Sequence, residues 1–191
     1  LELVNNFILA KQIVCLTGMP GSGTSTVVSA FKAKAIETFN LGNGVRAEAK
    51  RRDLDPTGDN FGKVMSDLRE NNGPGALANL LTEPIKKSQS KVIIIDGVRS
   101  TAEIEVLKNV GSVKLLSIEA AADTRYKFLS SRGRSDDPTT KEKFEERDNR
   151  ELGVGIGESI AMADETIVNS DITLDELTER AYKVIEKWID T

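Results

Sequence analysis

A chain of 191 residues can bury a full core in one domain, and 39% hydrophobic with 29% charged residues is the content of a soluble globular protein. The net charge of −4, with no long basic run, disfavours DNA, RNA or anionic-membrane binding, and no apolar stretch approaches spanning length. With no His and a single Cys, imidazole triads, His-ligated metals and internal disulfides are excluded, and a reducing, cytoplasmic setting is expected.

In chain order, residues 1–11 are weakly patterned and read as an extension, without the basic start or cleavage site of a secretory signal. Residues 12–17 form a short apolar run and predict a buried strand containing Cys15. Gly18-Met19-Pro20-Gly21-Ser22-Gly23-Thr24-Ser25 follows, and a helix is predicted over 24–38. Strand, glycine-rich turn and helix is the context of an anion-cradling loop: glycines let backbone N–H groups crowd an anion, and the helix start adds unpaired N–H groups and a positive dipole end. A phosphate-loop pattern would place Lys where this chain has Thr24, so the stretch argues more strongly for phosphate binding than for catalysis.

A short strand is predicted near 38–41, punctuated by Gly42-Asn43-Gly44, and helices over 45–52, 58–71 and 74–88 are separated by Leu54-Asp55-Pro56 and Gly73-Pro74. Lys91-Val92-Ile93-Ile94-Ile95-Asp96 is the clearest buried strand: short, β-branched and bounded by polar residues. Ser100 and Glu103 have capping-box spacing and start a helix to about 109. A strand over 113–118 and a helix over 122–132 come next, then the polar stretch 132–138. A further helix begins at 139–142, is interrupted by Gly153-Val154-Gly155-Ile156-Gly157, and resumes to 163. A last strand over 166–168 precedes a closing helix boxed by Thr173 and Glu176. Buried strands alternating with helices predict an α/β fold with a parallel sheet covered on both faces, whose ligands sit beyond the carboxyl ends of the strands. The glycine loop, residues 43–46 and residues 96–99 then share one rim.

Asp96, at a strand end, can hold Mg²⁺ directly or through water opposite Ser25; Asp is equally a common turn residue. Arg99 precedes a helix start, where a cation is disfavoured by about 0.3–1 kcal/mol. A bidentate grip on a phosphate would offset that cost, and so would simple surface exposure. Arg46 follows a glycine-rich turn beside Lys50, Arg51 and Arg52, so it reads either as a phosphate ligand or as a solvated helix residue. Arg132 and Arg134 belong either to a mobile charged loop or to a lid that closes over phosphates. Arg147 and Arg150 can share a helix face toward the site, or pair with Glu146 and Glu151.

Taken together these stretches resemble nucleoside monophosphate kinases. Gly42-Asn43-Gly44-Val45-Arg46 is similar to their Gly-Asp-x-x-Arg segment, Asp96-Gly97-Val98-Arg99 to their Asp-Gly-x-(Pro)-Arg strand end, and Arg132-Gly133-Arg134 with Asp136-Asp137 to their lid. Ala163-Asp164-Glu165-Thr166-Ile167-Val168-Asn169 resembles the segment before the last helix of dephospho-coenzyme A kinases. The likeness extends furthest, over about 11–188, to an archaeal family described as adenylate-kinase related. It implies a single domain over 1–191 with a three-layer P-loop NTPase fold: a five-stranded parallel sheet, helices on both faces, an acceptor-side helical insert over about 42–88 and a small lid over about 132–150.

The resemblance also implies roles. ATP phosphates would lie on Gly18, Pro20, Gly21, Ser22, Gly23, Thr24, Ser25 and Thr26, with Mg²⁺ at Ser25 and Asp96 and the base near Asn169. Arg46, Arg99 and Gly97 would hold a nucleotide or small phosphorylated acceptor, and Asp96, Arg132, Arg134 and Arg147 would serve the transfer. Two departures stand out: Thr24 replaces the loop Lys, and Asn43 replaces an acidic residue. The expected function is therefore an ATP-dependent phosphotransferase weakened at Thr24, or a non-catalytic nucleotide sensor using the same site.

Overall fold

A computed structural model describes residues 11–189; most of the expected N-terminal extension lies outside these residues. Five strands form one parallel sheet: β1 (Gln12–Thr17), β2 (Glu37–Asn40), β3 (Val92–Asp96), β4 (Ser112–Glu119) and β5 (Glu165–Val168), in the order β2-β3-β1-β4-β5. The central strands are buried on both faces, which is why they read as continuous apolar runs rather than alternating ones.

Alternation reappears in what each residue faces. Ile13, Cys15, Ile93, Ile95 and Leu115 point into one core cluster, while Val14, Leu16, Ile94 and Leu116 point into the other. The first cluster packs against α2 (Leu41–Arg51), α3 (Gly58–Asn72), α4 (Ala76–Lys87) and α5 (Thr101–Lys108). The second packs against α1 (Thr24–Ala33) and α9 (Leu174–Ile189) through Val27, Phe31, Leu177, Ala181 and Ile185. Between β4 and β5 the chain forms α6 (Ala122–Arg132), α7 (Lys141–Val154) and α8 (Ile156–Ala161). Helices thus cover both faces of a five-stranded parallel sheet, as the sequence implied. Among the described residues no helix is long and apolar enough to cross a membrane.

Several boundaries differ from the sequence reading. α1 stops at Ala33 rather than near 38, because Ala35 turns left-handed (φ 61°) and residues 37–40 pair with β3 instead. Gly42, Asn43 and Gly44 do not punctuate; they form the first turn of α2, where the Asn40 side chain accepts a hydrogen bond from the Asn43 N–H (3.1 Å). That cap and the burial of Leu41 and Val45 outweigh the roughly 1 kcal/mol each glycine costs a helix. The cap of α7 is Thr140, one residue later than expected.

Cys15 lies at the centre of β1, fully buried, and burial followed by the Glu103 charge pushes its thiol well above the ordinary value. We expect the folded protein to resist iodoacetamide at mildly alkaline pH and to be alkylated fully once unfolded in guanidinium, as mass spectrometry would show.

Candidate functional site

All five strands run the same way, so β1, β2, β3 and β5 deliver Gly18, Asn40, Asp96 and Asn169 to one rim. The loop after β1 approaches its neighbours too closely for side chains. A Cβ on Gly18 (φ 149°) would sit 2.2 Å from the carbonyl oxygen of Ile118. Gly23 (φ 116°) caps α1 with no side chain, and Thr24 and Ser25 line the cleft at the uncapped, positive end of that helix. Asn169 donates to the Ser22 carbonyl (2.8 Å), so it braces the loop from the β5 side. Ser22 Oγ is buried with no hydrogen-bond partner among the described residues.

Asp96 is only 4% exposed. Its Oδ2 accepts from Asn40 Nδ2 (2.8 Å) and faces Ser25 Oγ at 3.4 Å, while Oδ1 has no partner among the described residues. A buried carboxylate oxygen with an unused lone pair, beside a hydroxyl at a helix start, has the chemistry of a hard-cation ligand. Beyond Asp96 the chain is pinned to β1: Val98 N–H donates to Leu16 (3.2 Å) and Thr17 Oγ1 to the Val98 carbonyl (2.9 Å). That anchorage aims Gly97 and Arg99 into the same cleft as Gly18, Gly21 and Thr24.

Arg46, Arg132, Arg134 and Arg147 complete the cleft wall. Each meets a carboxylate or amide that the sequence reading did not assign. Arg46, with 38% of its side chain exposed, lies 3.5 Å from Asp136 and donates to Asn43 Oδ1 (3.2 Å). Arg147 donates to the Asp136 carbonyl (3.0 Å) and lies 3.5 Å from its carboxylate. Arg132 grips Asp137 through Nε (3.0 Å) and a second, shorter contact, and the Arg134 N–H adds 2.9 Å. Burial raises the Asp137 carboxyl, but these donors outweigh it and hold it below the usual range. The Arg134 guanidinium has no partner among the described residues.

Arg99 pairs with Glu151 of α7 at 2.8 Å. Burial disfavours its charge, but Glu151, Glu103 and Asp96 more than compensate and raise its pKa. For Arg147 burial wins over its acidic neighbours, and its pKa falls. Arg150 lies with Arg46, Arg99, Arg147 and Glu151 around a smaller cavity, away from the glycine loop. Neither expected partner, Glu146 or Glu151, forms an ion pair with Arg147 or Arg150 within 4.0 Å.

Two further groups lie behind the site. Glu103, fully buried, accepts from the Arg99 N–H (2.7 Å) and pairs with Arg69 of α3 (2.9 Å). Its spacing from Ser100 was visible in the sequence; its grip one residue upstream of that cap was not. Arg125 of α6 is 5% exposed. It donates to the Pro20 carbonyl (3.1 Å) and bidentately to Asp148 of α7 (2.9 and 2.5 Å), with Phe144 under its plane at 4.9 Å. No local pattern marks it, since Pro20 and Asp148 are 105 and 23 residues away.

The glycine loop, the strand-end carboxylate and the converging arginines on a five-stranded parallel sheet define a P-loop kinase-like protein of the nucleotide-binding class. The AAA-domain family profile matches residues 17–145. The chain belongs to the UPF0200 family: it is 42% identical over 165 residues to the UPF0200 protein of Pyrococcus abyssi, spanning 84% of this chain and 88% of that one. It is also 41% identical over 180 residues to the relative from Methanothrix thermoacetophila (92% and 97%). Among solved structures, TT1252 from Thermus thermophilus aligns with a TM-score of 0.63 at 17% identity, covering 93% of this chain and 97% of that one. A shikimate kinase from Bacteroides thetaiotaomicron aligns at 0.60 and 16% identity, covering 91% and 98%. These likenesses establish the fold.

Proposed function

We propose that the protein binds ATP with Mg²⁺ and transfers the γ-phosphoryl group to a phosphorylated small molecule or nucleotide. The observation that carries this reading is one cleft lined by the glycine-loop residues Gly18, Gly21 and Thr24, by Asp96 with its unpaired Oδ1, and by five arginines. Phosphoryl transfer needs little covalent help from a protein; positioning and charge stabilisation supply the rate.

The residues present fit Mg²⁺. Among the described residues no three His, Cys, Asp or Glu side chains form a metal cage. A magnesium ion held by one or two protein oxygens plus phosphates and water needs none. Asp96 and Ser25 would hold it, and its charge would neutralise phosphate oxygens. The uncapped start of α1 would take the ATP phosphates, with Ser22, Gly23, Thr24, Ser25 and Thr26 around them and the base toward Asn169. Arg46 and Arg99 would orient the acceptor phosphate near Gly97. Arg132, Arg134 and Arg147 would close over the transferring group and exclude water. In this reading α2–α4 form the acceptor side, the α6–α7 loop is a lid, and the buried Cys15 suits a reducing cytoplasm.

A second reading has its own observation. Thr24 puts no charge where a lysine would reach the phosphates, so the same site could hold nucleotide without turning it over. Titration calorimetry with Mg-ATP tests the shared core of both. Binding is expected, and Asp96→Asn should remove its Mg²⁺ dependence while leaving metal-free ATP affinity within about threefold, a change under 1 kcal/mol. Absence of Mg-ATP binding would overturn both readings.

A further inference from the structure

Resting on the kinase reading, we propose that the acceptor is a small polyhydroxylated phosphate of the sugar-phosphate class, seated between α1, the end of β2 and the α6–α7 loop. A cleft of about 530 Å³ opens there, sharing Ser25, Asp96, Arg46 and Arg134 with the site described above. Its size suits a small ligand.

The walls select the class. Ser25, Ser29 and Lys32 lie at helix spacings of four and three residues on the cleft-facing side of α1. Thr38 stands opposite, in register with Ile94, whose side of the sheet faces α1. Asn40, Asn43 and Ser135 complete a set of hydroxyls and amides able both to donate and to accept. Ser29 donates to the Ser25 carbonyl (2.8 Å) and keeps its lone pairs free to accept. Asn43 contributes Oδ1 to Arg46, leaving its NH₂ group for a ligand.

What the cleft lacks matters as much. Its apolar residues are Val28 and Phe39, and Phe39 packs toward the opposite core cluster. With Phe39 committed to that core, a planar base would find little apolar surface to stack on. Charge asks for an anion: Lys32, Arg46 and Arg134 face only Asp96 and Asp136. Lys32 and the Arg134 guanidinium have no partner among the described residues. Hydroxyl-reading groups on one side and, on the other, the Arg46 guanidinium that this cleft shares with the Gly97 and Arg99 wall describe a sugar carrying a phosphate.

Calorimetry with ribose 5-phosphate, glucose 6-phosphate, AMP, ribose and inorganic phosphate, with Mg-ATP titrated in parallel, tests this. At least one sugar phosphate should bind roughly tenfold tighter than inorganic phosphate or ribose, and no weaker than AMP. Thr38→Val with Ser29→Ala should lower that affinity about tenfold while leaving inorganic phosphate binding unchanged. AMP binding tenfold tighter than both sugar phosphates, or sugar phosphates no tighter than phosphate, would overturn the assignment while Mg-ATP binding keeps the kinase reading intact. Loss of Mg-ATP binding as well would overturn both.

Discussion

Thr24→Lys is expected to raise ATP-dependent phosphotransfer by roughly 10²–10³-fold, the amount usually lost when one aimed donor is removed from a preorganised site. Thr24 opens α1 and lines the cleft with Gly18, Gly21, Asp96 and Arg99. A lysine there would carry an ammonium group toward the β- and γ-phosphates, in a field the uncapped helix start already makes positive. The remaining cations are partly engaged: Arg132 with Asp137, Arg147 with Asp136, and Arg99 with Glu151. A steady-state assay following ADP release, with a sugar phosphate or AMP as acceptor, reads the gain. Unchanged turnover in a variant that binds Mg-ATP tightly would favour the sensor reading.

Arg125→Leu is expected to lower stability by about 3 kcal/mol and to weaken Mg-ATP binding. The side chain is almost wholly buried and makes bidentate contact with Asp148 while holding the Pro20 carbonyl. Removing it leaves a carboxylate short of its partner and frees the glycine loop from α6. The expected loss is at the low end for a buried pair because the Asp148 side chain is 16% exposed. Urea unfolding measures the stability term. Adding Asp148→Leu should recover part of the stability, since the stranded charge is gone, but not the nucleotide affinity, since Pro20 is still unheld. Full recovery of both would mean that Arg125 acts only through Asp148.

The sheet was legible in the sequence because burial on both faces writes itself as short β-branched runs, of which residues 92–95 are the plainest. The convergence of Ser25, Asp96, Arg46 and Arg99 was legible for a topological reason: parallel strands bring their following loops to one edge. Illegible were the contacts that depend on side chains meeting across long separations. Arg69 and Glu103 are 34 residues apart and Arg125 and Asp148 are 23 apart, with nothing in either neighbourhood to announce the partner. The end of α1 was misplaced because residues 34–38 continue a helix-compatible pattern, and only pairing with β3 shows that the chain turns at Ala35. Asn40, two residues before the Gly42–Arg46 stretch and outside it, is both the cap of α2 and a hydrogen-bond donor to Asp96.

Asp136 and Asp137 rest on Arg46, Arg132 and Arg147. On the proposed function, a phosphate entering the cleft would meet guanidiniums that have an internal counter-ion, and its binding would exchange one anion for another. The apparent affinity is then discounted by the strength of the resident contact. With one negative charge leaving as another entered, net neutralisation on binding would be small, and occupancy should be less sensitive to ionic strength than so many arginines would suggest.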